Sequence, residues 1–372
     1  MNSVSLFLFL FIVAAPPDAQ PSTELSQALV QHFTPPADYA DRYGDYRSPL
    51  LFEDGHKVLN REDWQHRRKE ILATWHKLLG PWPDVLEKPK VDQLAAERRE
   101  NFMQYTIRFE LAPNNPTKAY LLVPEGSGKR AAVVVVFYDA ETGVGRKGEH
   151  LDFAYELAKR GFVTLSIGHG ASIYHPSQND AQLQPLSALA YAAANAYHVL
   201  ATRDEVDPQR VGIVGHSYGG KWAMFASCLY DKFACAAWSD GGIVFDESRS
   251  NVNYWEPWYL GYEGPNFRQR GIPSRDNPRT GTYKQLREAG RDLHELHALM
   301  APRPFLVSGG SEDPPERWIP LNHTIAVNRL LGYENRVAMT NRRSHSPTPE
   351  SNEVIYAFFE HFLRSQKPVD AR

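Results

Sequence analysis

Cysteine is almost missing from this chain: 372 residues contain two, Cys228 and Cys235. That excludes a zinc site built on thiolates alone; an exported chain permits a disulfide between the two, but a large core needs no staple and two buried thiols are the expectation. An excess of one charge is also missing. Forty-one Lys and Arg stand against 44 Asp and Glu, a formal net charge of -3, with no basic run. Nucleic acid and anionic membrane are therefore not expected as partners. No internal repeat or low-complexity tract interrupts the chain, and no motif implies a metal or an organic cofactor. Long apolar runs are scarce too. One opens the sequence, from Met1 through Leu6-Phe7-Leu8-Phe9-Leu10-Phe11 to Ala15, followed by Pro16-Pro17. It is too short to span a bilayer and reads as a secretory signal peptide cleaved after Ala15 or Ala19. The expected location is secreted or periplasmic, with no membrane span after its removal.

What is present is the texture of an α/β protein. Residues 20–100 form an N-terminal extension. It is irregular to residue 59, then carries an amphipathic helix capped by Asn60, with Trp64, Ile71, Leu72, Trp75 and Leu79 at helical spacing and Gly80-Pro81 as its stop. Residues 101–372 form the main domain. Two strands around the turn Pro113-Asn114-Asn115-Pro116 come first. Then apolar strands such as Ala131–Tyr138, Phe162–Ile167, Arg210–Gly215, Ala234–Trp238, Pro304–Ser308 and Arg336–Thr340 alternate with helical stretches, among them Pro185–Thr202, Tyr283–Met300 and Val354–Leu363. Such alternation predicts a mostly parallel central sheet with helices on both faces. The rhythm breaks at about 246–282, which is rich in Trp, Tyr, Pro and Asn. An insert of that length predicts a cap over a site.

Gly215-His216-Ser217-Tyr218-Gly219-Gly220 sits between a buried strand and a helix. A sharp strand-to-helix turn lifts a serine Oγ clear of the sheet, and glycines two before and two after it let the turn close. Ser217 is the expected nucleophile. The amide after it, that of Tyr218, would hold a developing oxyanion. A second donor is expected in the loop after the Val133–Val136 strand, at Tyr138 or Asp139. A serine nucleophile needs a base and the base an orienting acid, in the chain order serine, acid, histidine. Asp313, beyond the strand ending in Ser308, is the expected acid, with Glu312 its rival. His345, in the polar loop after the last strand, is the expected base.

The elbow, the segment Asp292-Leu293-His294-Glu295-Leu296-His297 leading to Pro302-Arg303-Pro304, and the stretch from Trp64 through Arg67-Arg68 to Leu79-Gly80 together resemble bacterial carbohydrate esterases. The similarity is to the acetyl xylan esterase and dienelactone-hydrolase-like group and to glucuronoyl esterases, and it covers residues 60–366. It implies the α/β-hydrolase fold, a Ser-His-Asp triad and an acyl-enzyme formed on an ester of a small molecule or polysaccharide. Glucuronoyl esterases carry Gly-Cys-Ser-Arg-x-Gly-Lys at the elbow. This chain keeps the lysine as Lys221 but has Tyr218 in place of the arginine that helps hold the oxyanion, a departure that favours a broader esterase with acetyl as the acyl group. The resemblance further implies that Lys221 bonds a sugar hydroxyl, and Trp255 and Trp258 are candidates for stacking on a sugar face. Two alternatives remain: an exopeptidase or amidase of the prolyl-oligopeptidase type, for which residues 20–100 are too short to supply the usual propeller, and a catalytically silent carbohydrate-binding protein.

Overall fold

Period-two alternation decides the centre of the fold. In the run Ala131 to Phe137, the residues Ala132, Val134 and Val136 enter the larger core, and Ala131, Val133, Val135 and Phe137 enter the smaller one on the opposite face. All are buried, so the strand has no solvent side and every position is apolar. Burying each valine stabilises the fold by about 1.5–3 kcal/mol relative to leaving it exposed.

The computed structural model describes residues 27–365, Asn266 excepted; the N-terminal apolar run and both expected cleavage points lie outside the described residues. Nine strands form one sheet among them: β1 (Asp92–Arg99), β2 (Phe102–Ala112), β3 (Asn115–Pro124), β4 (Arg130–Val136), β5 (Val163–Ile167), β6 (Val206–His216), β7 (Cys235–Ser239), β8 (Phe305–Gly309) and β9 (Val337–Asn341). Their spatial order is β1-β2-β3-β5-β4-β6-β7-β8-β9. Pairing is antiparallel from β1 to β5 by way of β2 and β3, and parallel from β5 through β4 to β9.

The helices are α1 (Gln27–Val30), α2 (Arg61–Leu79), α3 (Ala140–Gly143), α4 (Phe153–Lys159), α5 (Pro185–Ala201), α6 (Tyr218–Leu229), α7 (Gly281–Glu288), α8 (His294–Ala298), α9 (Trp318–Leu330) and α10 (Pro349–Glu360). Residues of α5, α6 and α8 share the larger core, and those of α4 and α10 the smaller. In α2, Trp64, Arg67, Ile71, Trp75 and Leu79 turn inward on one face, and Asn60 caps the first turn by accepting from the Asp63 amide at 2.9 Å. Trp75 meets Phe225 of α6 edge-on, so the N-terminal helix shares the core of the main domain. Cys228 and Cys235 are both buried and free.

Two elements differ from the sequence expectation. The stretch Asp92–Arg99 is a strand, although it carries no apolar period: it is the sheet edge and lies almost wholly in solvent, so burial left no pattern in it. The helix expected from Tyr283 to Met300 is two. Gly290 adopts φ 65, and the Arg291 amide bonds the Leu286 carbonyl at 2.9 Å, a glycine-terminated helix end. Asp292 then takes the Phe245 and Leu293 amides, turning the chain into α8.

Three histidines of α8 and α9 are enclosed here. His294 bonds the Arg47 carbonyl at 2.6 Å and His323 the Tyr43 carbonyl at 3.0 Å, so both pin the N-terminal arm, while His297 lies fully buried beside Met224. Burial holds His294 down to about 3 and lowers His297 and His323 as well. Neutral in the fold and protonated when unfolded, these groups bind more protons in the unfolded chain below pH 6.5. For His294, stability is therefore whole above that value and falls as pH drops towards 3, by up to about 1.4 kcal/mol per pH unit, and His297 and His323 act in the same direction. Denaturant unfolding across this range checks it, and the slope is expected to be shallower in His294→Gln.

Candidate active site

The backbone at Ser217 has φ 57 and ψ -111, a conformation that non-glycine residues rarely adopt. Close packing imposes it. A Cβ on Gly219 would sit 2.0 Å from the Val136 carbonyl oxygen, and one on Gly215 would sit 2.4 Å from the Gly219 backbone. The end of β6, the start of α6 and the end of β4 thus meet without side chains between them. Residues on either side of Ser217 are buried and the serine alone is partly exposed.

The Ser217 hydroxyl lies 2.8 Å from His345 Nε2. His345 Nδ1 lies 2.7 Å from Asp240 Oδ2. A carboxylate only accepts, so Nδ1 carries the proton and Nε2 is left to receive the serine's. Asp240, not Asp313, stands behind the histidine. Asp240 follows β7, one strand earlier than expected, and is fully buried.

The correction has a physical reason. Both oxygens of Asp313 are taken by backbone amides, Gly242 at 2.9 Å and Ile243 at 2.6 Å, in the loop that bears Asp240. Asp240 in turn accepts from the amides of Gly310, Glu312 and Asp313 at 2.6, 3.1 and 3.0 Å. Each carboxylate organises the other's loop. Burial first, and the charge of Asp240 second, push the Asp313 carboxyl up from its ordinary range. Glu312, the rival, bonds Ser311 and Asn251 and also stands away from the histidine.

Two positioning groups were not singled out from sequence. Arg342 donates to the His345 carbonyl at 2.6 Å and to the Ser308 carbonyl at 2.8 Å, tying the histidine loop to the end of β8. His216 lies with its ring 4.7 Å from that of His345 and its Nδ1 3.1 Å from Ser239 Oγ; burial, then the neighbouring His345, hold its pKa well down. The signal for Asp240 was present in Trp238-Ser239-Asp240-Gly241-Gly242: an acid at the carboxyl end of a buried parallel strand, with glycines after it.

The Tyr218 amide opens the first turn of α6, where N–H groups have no intrahelical acceptor and the helix dipole favours negative charge. The Tyr218 ring is buried and lies flat on the exposed ring of Tyr138, centroids 4.1 Å apart at 11°. Asp139, the other residue considered there, caps α3 by accepting from Thr142 and pairs with Lys147.

Two residues expected on the substrate side are enclosed. Trp255 is 1% exposed and packs against Tyr283, because the insert folds back as core. Lys221 is 2% exposed; its Nζ donates to the Asn251 carbonyl at 3.1 Å and lies over the rings of Tyr254 and Tyr259, bracing the insert. Burial lowers the lysine to about 8. Trp258 is half-buried at the insert's surface. Among the described residues, no three His, Cys, Asp or Glu side chains converge as a metal site, and no helix is long and apolar enough to cross a membrane.

A family model described as the alpha/beta hydrolase family matches residues 143–364. The chain is 24% identical to 4-O-methyl-glucuronoyl methylesterase 1 of Wolfiporia cocos, over 99% of this chain and 93% of that protein. Its structure is similar to the glucuronoyl esterase from Solibacter usitatus, with a TM-score of 0.67 at 19% identity, covering 85% of this chain and 97% of the other. It is also similar to a promiscuous CE15 esterase from a marine bacterial metagenome, with a TM-score of 0.64 at 17% identity, covering 85% and 96%. At these identities the structural likeness is one of fold.

The two aspartates separate by experiment. Asp240→Asn is expected to slow labelling of Ser217 by a fluorophosphonate by roughly 10³-fold or more, through loss of the imidazole's orientation and tautomer. Asp313→Asn turns an amide N–H towards backbone donors, so it is expected to lower the melting temperature, with labelling of the folded fraction within roughly tenfold of the parent.

Proposed function

The chain belongs to the alpha/beta hydrolase family, and from its site we propose that it is a serine carboxylesterase acting on an ester-decorated carbohydrate. The observation that carries the reading is the continuous contact from Ser217 Oγ through His345 to Asp240, set beside the amides of a helix start. Ser217 Oγ attacks the ester carbonyl as His345 Nε2 takes its proton, and Asp240 stabilises the imidazolium that forms. The Tyr218 N–H receives the oxyanion, joined by a donor from the Tyr138 loop. Collapse breaks the bond to the sugar oxygen, which leaves with the proton from His345. A water deprotonated by the same imidazole then attacks the acyl-enzyme, and release of the acid restores the Ser217 hydroxyl.

We assign acetyl, or a similarly small acyl group. At the elbow position where glucuronoyl esterases carry an arginine stands Tyr218, its ring stacked on that of Tyr138. Trp258, half-buried in the insert, remains the candidate for a sugar face. Cleavage of a uronate ester is the second reading, favoured by the names of the relatives from Wolfiporia cocos and Solibacter usitatus. The N-terminal apolar run supports a secreted or periplasmic enzyme.

Acetylated xylan, a methyl glucuronate ester and feruloylated oligosaccharide, assayed side by side, test the assignment. The expected outcome is a kcat/KM for acetyl release at least tenfold above the other two, reduced to background in Ser217→Ala. A higher value on the glucuronate ester would transfer the assignment to the second reading. Turnover of aminoacyl-anilides with none of any ester would overturn the esterase reading.

A further inference from the structure

The insert between β7 and α7 carries five arginines, and three of them face carboxylates: Arg249 faces Asp246, Arg268 faces Glu256 and Arg279 faces Glu247. Arg270 does not. Its guanidinium lies 4.8 Å from the centroid of the Trp258 ring and, among the described residues, is within 4 Å of no carboxylate. Trp258 contacts Tyr259, whose ring is 6.0 Å from that of Tyr218, the residue after Ser217.

The segment bearing Arg270 is braced. Buried Arg268 donates to the carbonyls of Gly271, Asn277 and Pro278 at 3.0, 3.0 and 3.1 Å, and the Gly271 amide bonds Glu256 at 2.9 Å. A guanidinium lying on an indole keeps its N–H groups available while the ring limits its orientations. A cation held in this way has already lost much of the freedom that binding would remove, and its fork matches an oxyanion with two acceptor oxygens.

We propose that Arg270, held in place on Trp258, forms a subsite for an anionic sugar residue of the same chain that carries the scissile ester, the indole orienting the guanidinium and the guanidinium taking the sugar's carboxylate or sulfate. This rests on the reading that a carbohydrate ester occupies Ser217, and it adds a charge preference away from the reacting bond.

Binding in a Ser217→Ala background tests it without turnover, so its failure is separable from failure of the esterase reading. Calorimetry would use a glucuronate-substituted xylo-oligosaccharide, its carboxyl-reduced counterpart and a sulfated counterpart. The charged ligands are expected to bind more tightly than the reduced one, with a Kd that rises between 50 and 500 mM NaCl. Adding Arg270→Ala is expected to weaken them about tenfold and flatten the salt dependence, with the reduced ligand unchanged. Arg270→Lys, which keeps the charge without the fork, is expected to fall between. The carboxylate and sulfate arms show which anion is preferred. Equal binding of charged and reduced ligands by the parent, or an equal loss for all three in Arg270→Ala, would overturn the proposal.

Discussion

Everything at this site depends on a buried charge held by backbone amides. Asp240 has no exposed surface, and three N–H groups from the loop after β8 converge on its carboxylate while His345 takes the remaining direction. A carboxylate removed from water is costly unless its lone pairs are satisfied, and amides satisfy them without adding a second mobile side chain. The arrangement is reciprocal, since Asp313 holds the amides that follow Asp240. Two neighbouring parallel strands thus end in loops that fold only against one another. The imidazole's orienting group is built onto the carboxyl end of an interior strand and does not hang from a flexible turn.

The same economy appears at the elbow. Ser217 keeps an unfavourable backbone conformation because three backbone segments meet where Gly215 and Gly219 have no side chains. Strain there aims the hydroxyl at His345 and turns the first-turn amides of α6 towards the same space. Arg342 closes the arrangement by joining the histidine loop to the carbonyls at the end of β8. Serine, histidine and aspartate therefore come from three loops, each tied to the sheet by backbone contacts.

The insert does two jobs that its composition blurs together. Much of its aromatic content is core: Tyr254 and Trp255 are buried, and Lys221 is bound beneath it. What it leaves at the surface is smaller, namely Trp258 with Arg270 above it. A Trp- and Tyr-rich stretch read as a sequence looks like one recognition surface. Tertiary packing divides it into a foundation and a rim.

The alternation of strands and helices, the elbow around Ser217 and the loop bearing His345 were legible in the chain itself, because each rests on a local property: apolar period, glycine spacing or order along the sequence. The strand Asp92–Arg99 was not, since an exposed edge needs no apolar residues, and the break at Gly290 was hidden inside an otherwise helical pattern. The acid was not legible either. Asp240 and Asp313 both follow buried parallel strands, and both are fully enclosed. Which of them meets His345 depends on which loop's amides each carboxylate accepts, a contact between segments about seventy residues apart. Local pattern determined the fold and the places of Ser217 and His345 in it. Only the packing of one loop against another decided which carboxylate meets His345, because hydrogen-bond partners across a sheet are chosen by proximity in space and leave no mark on the residues that lie between.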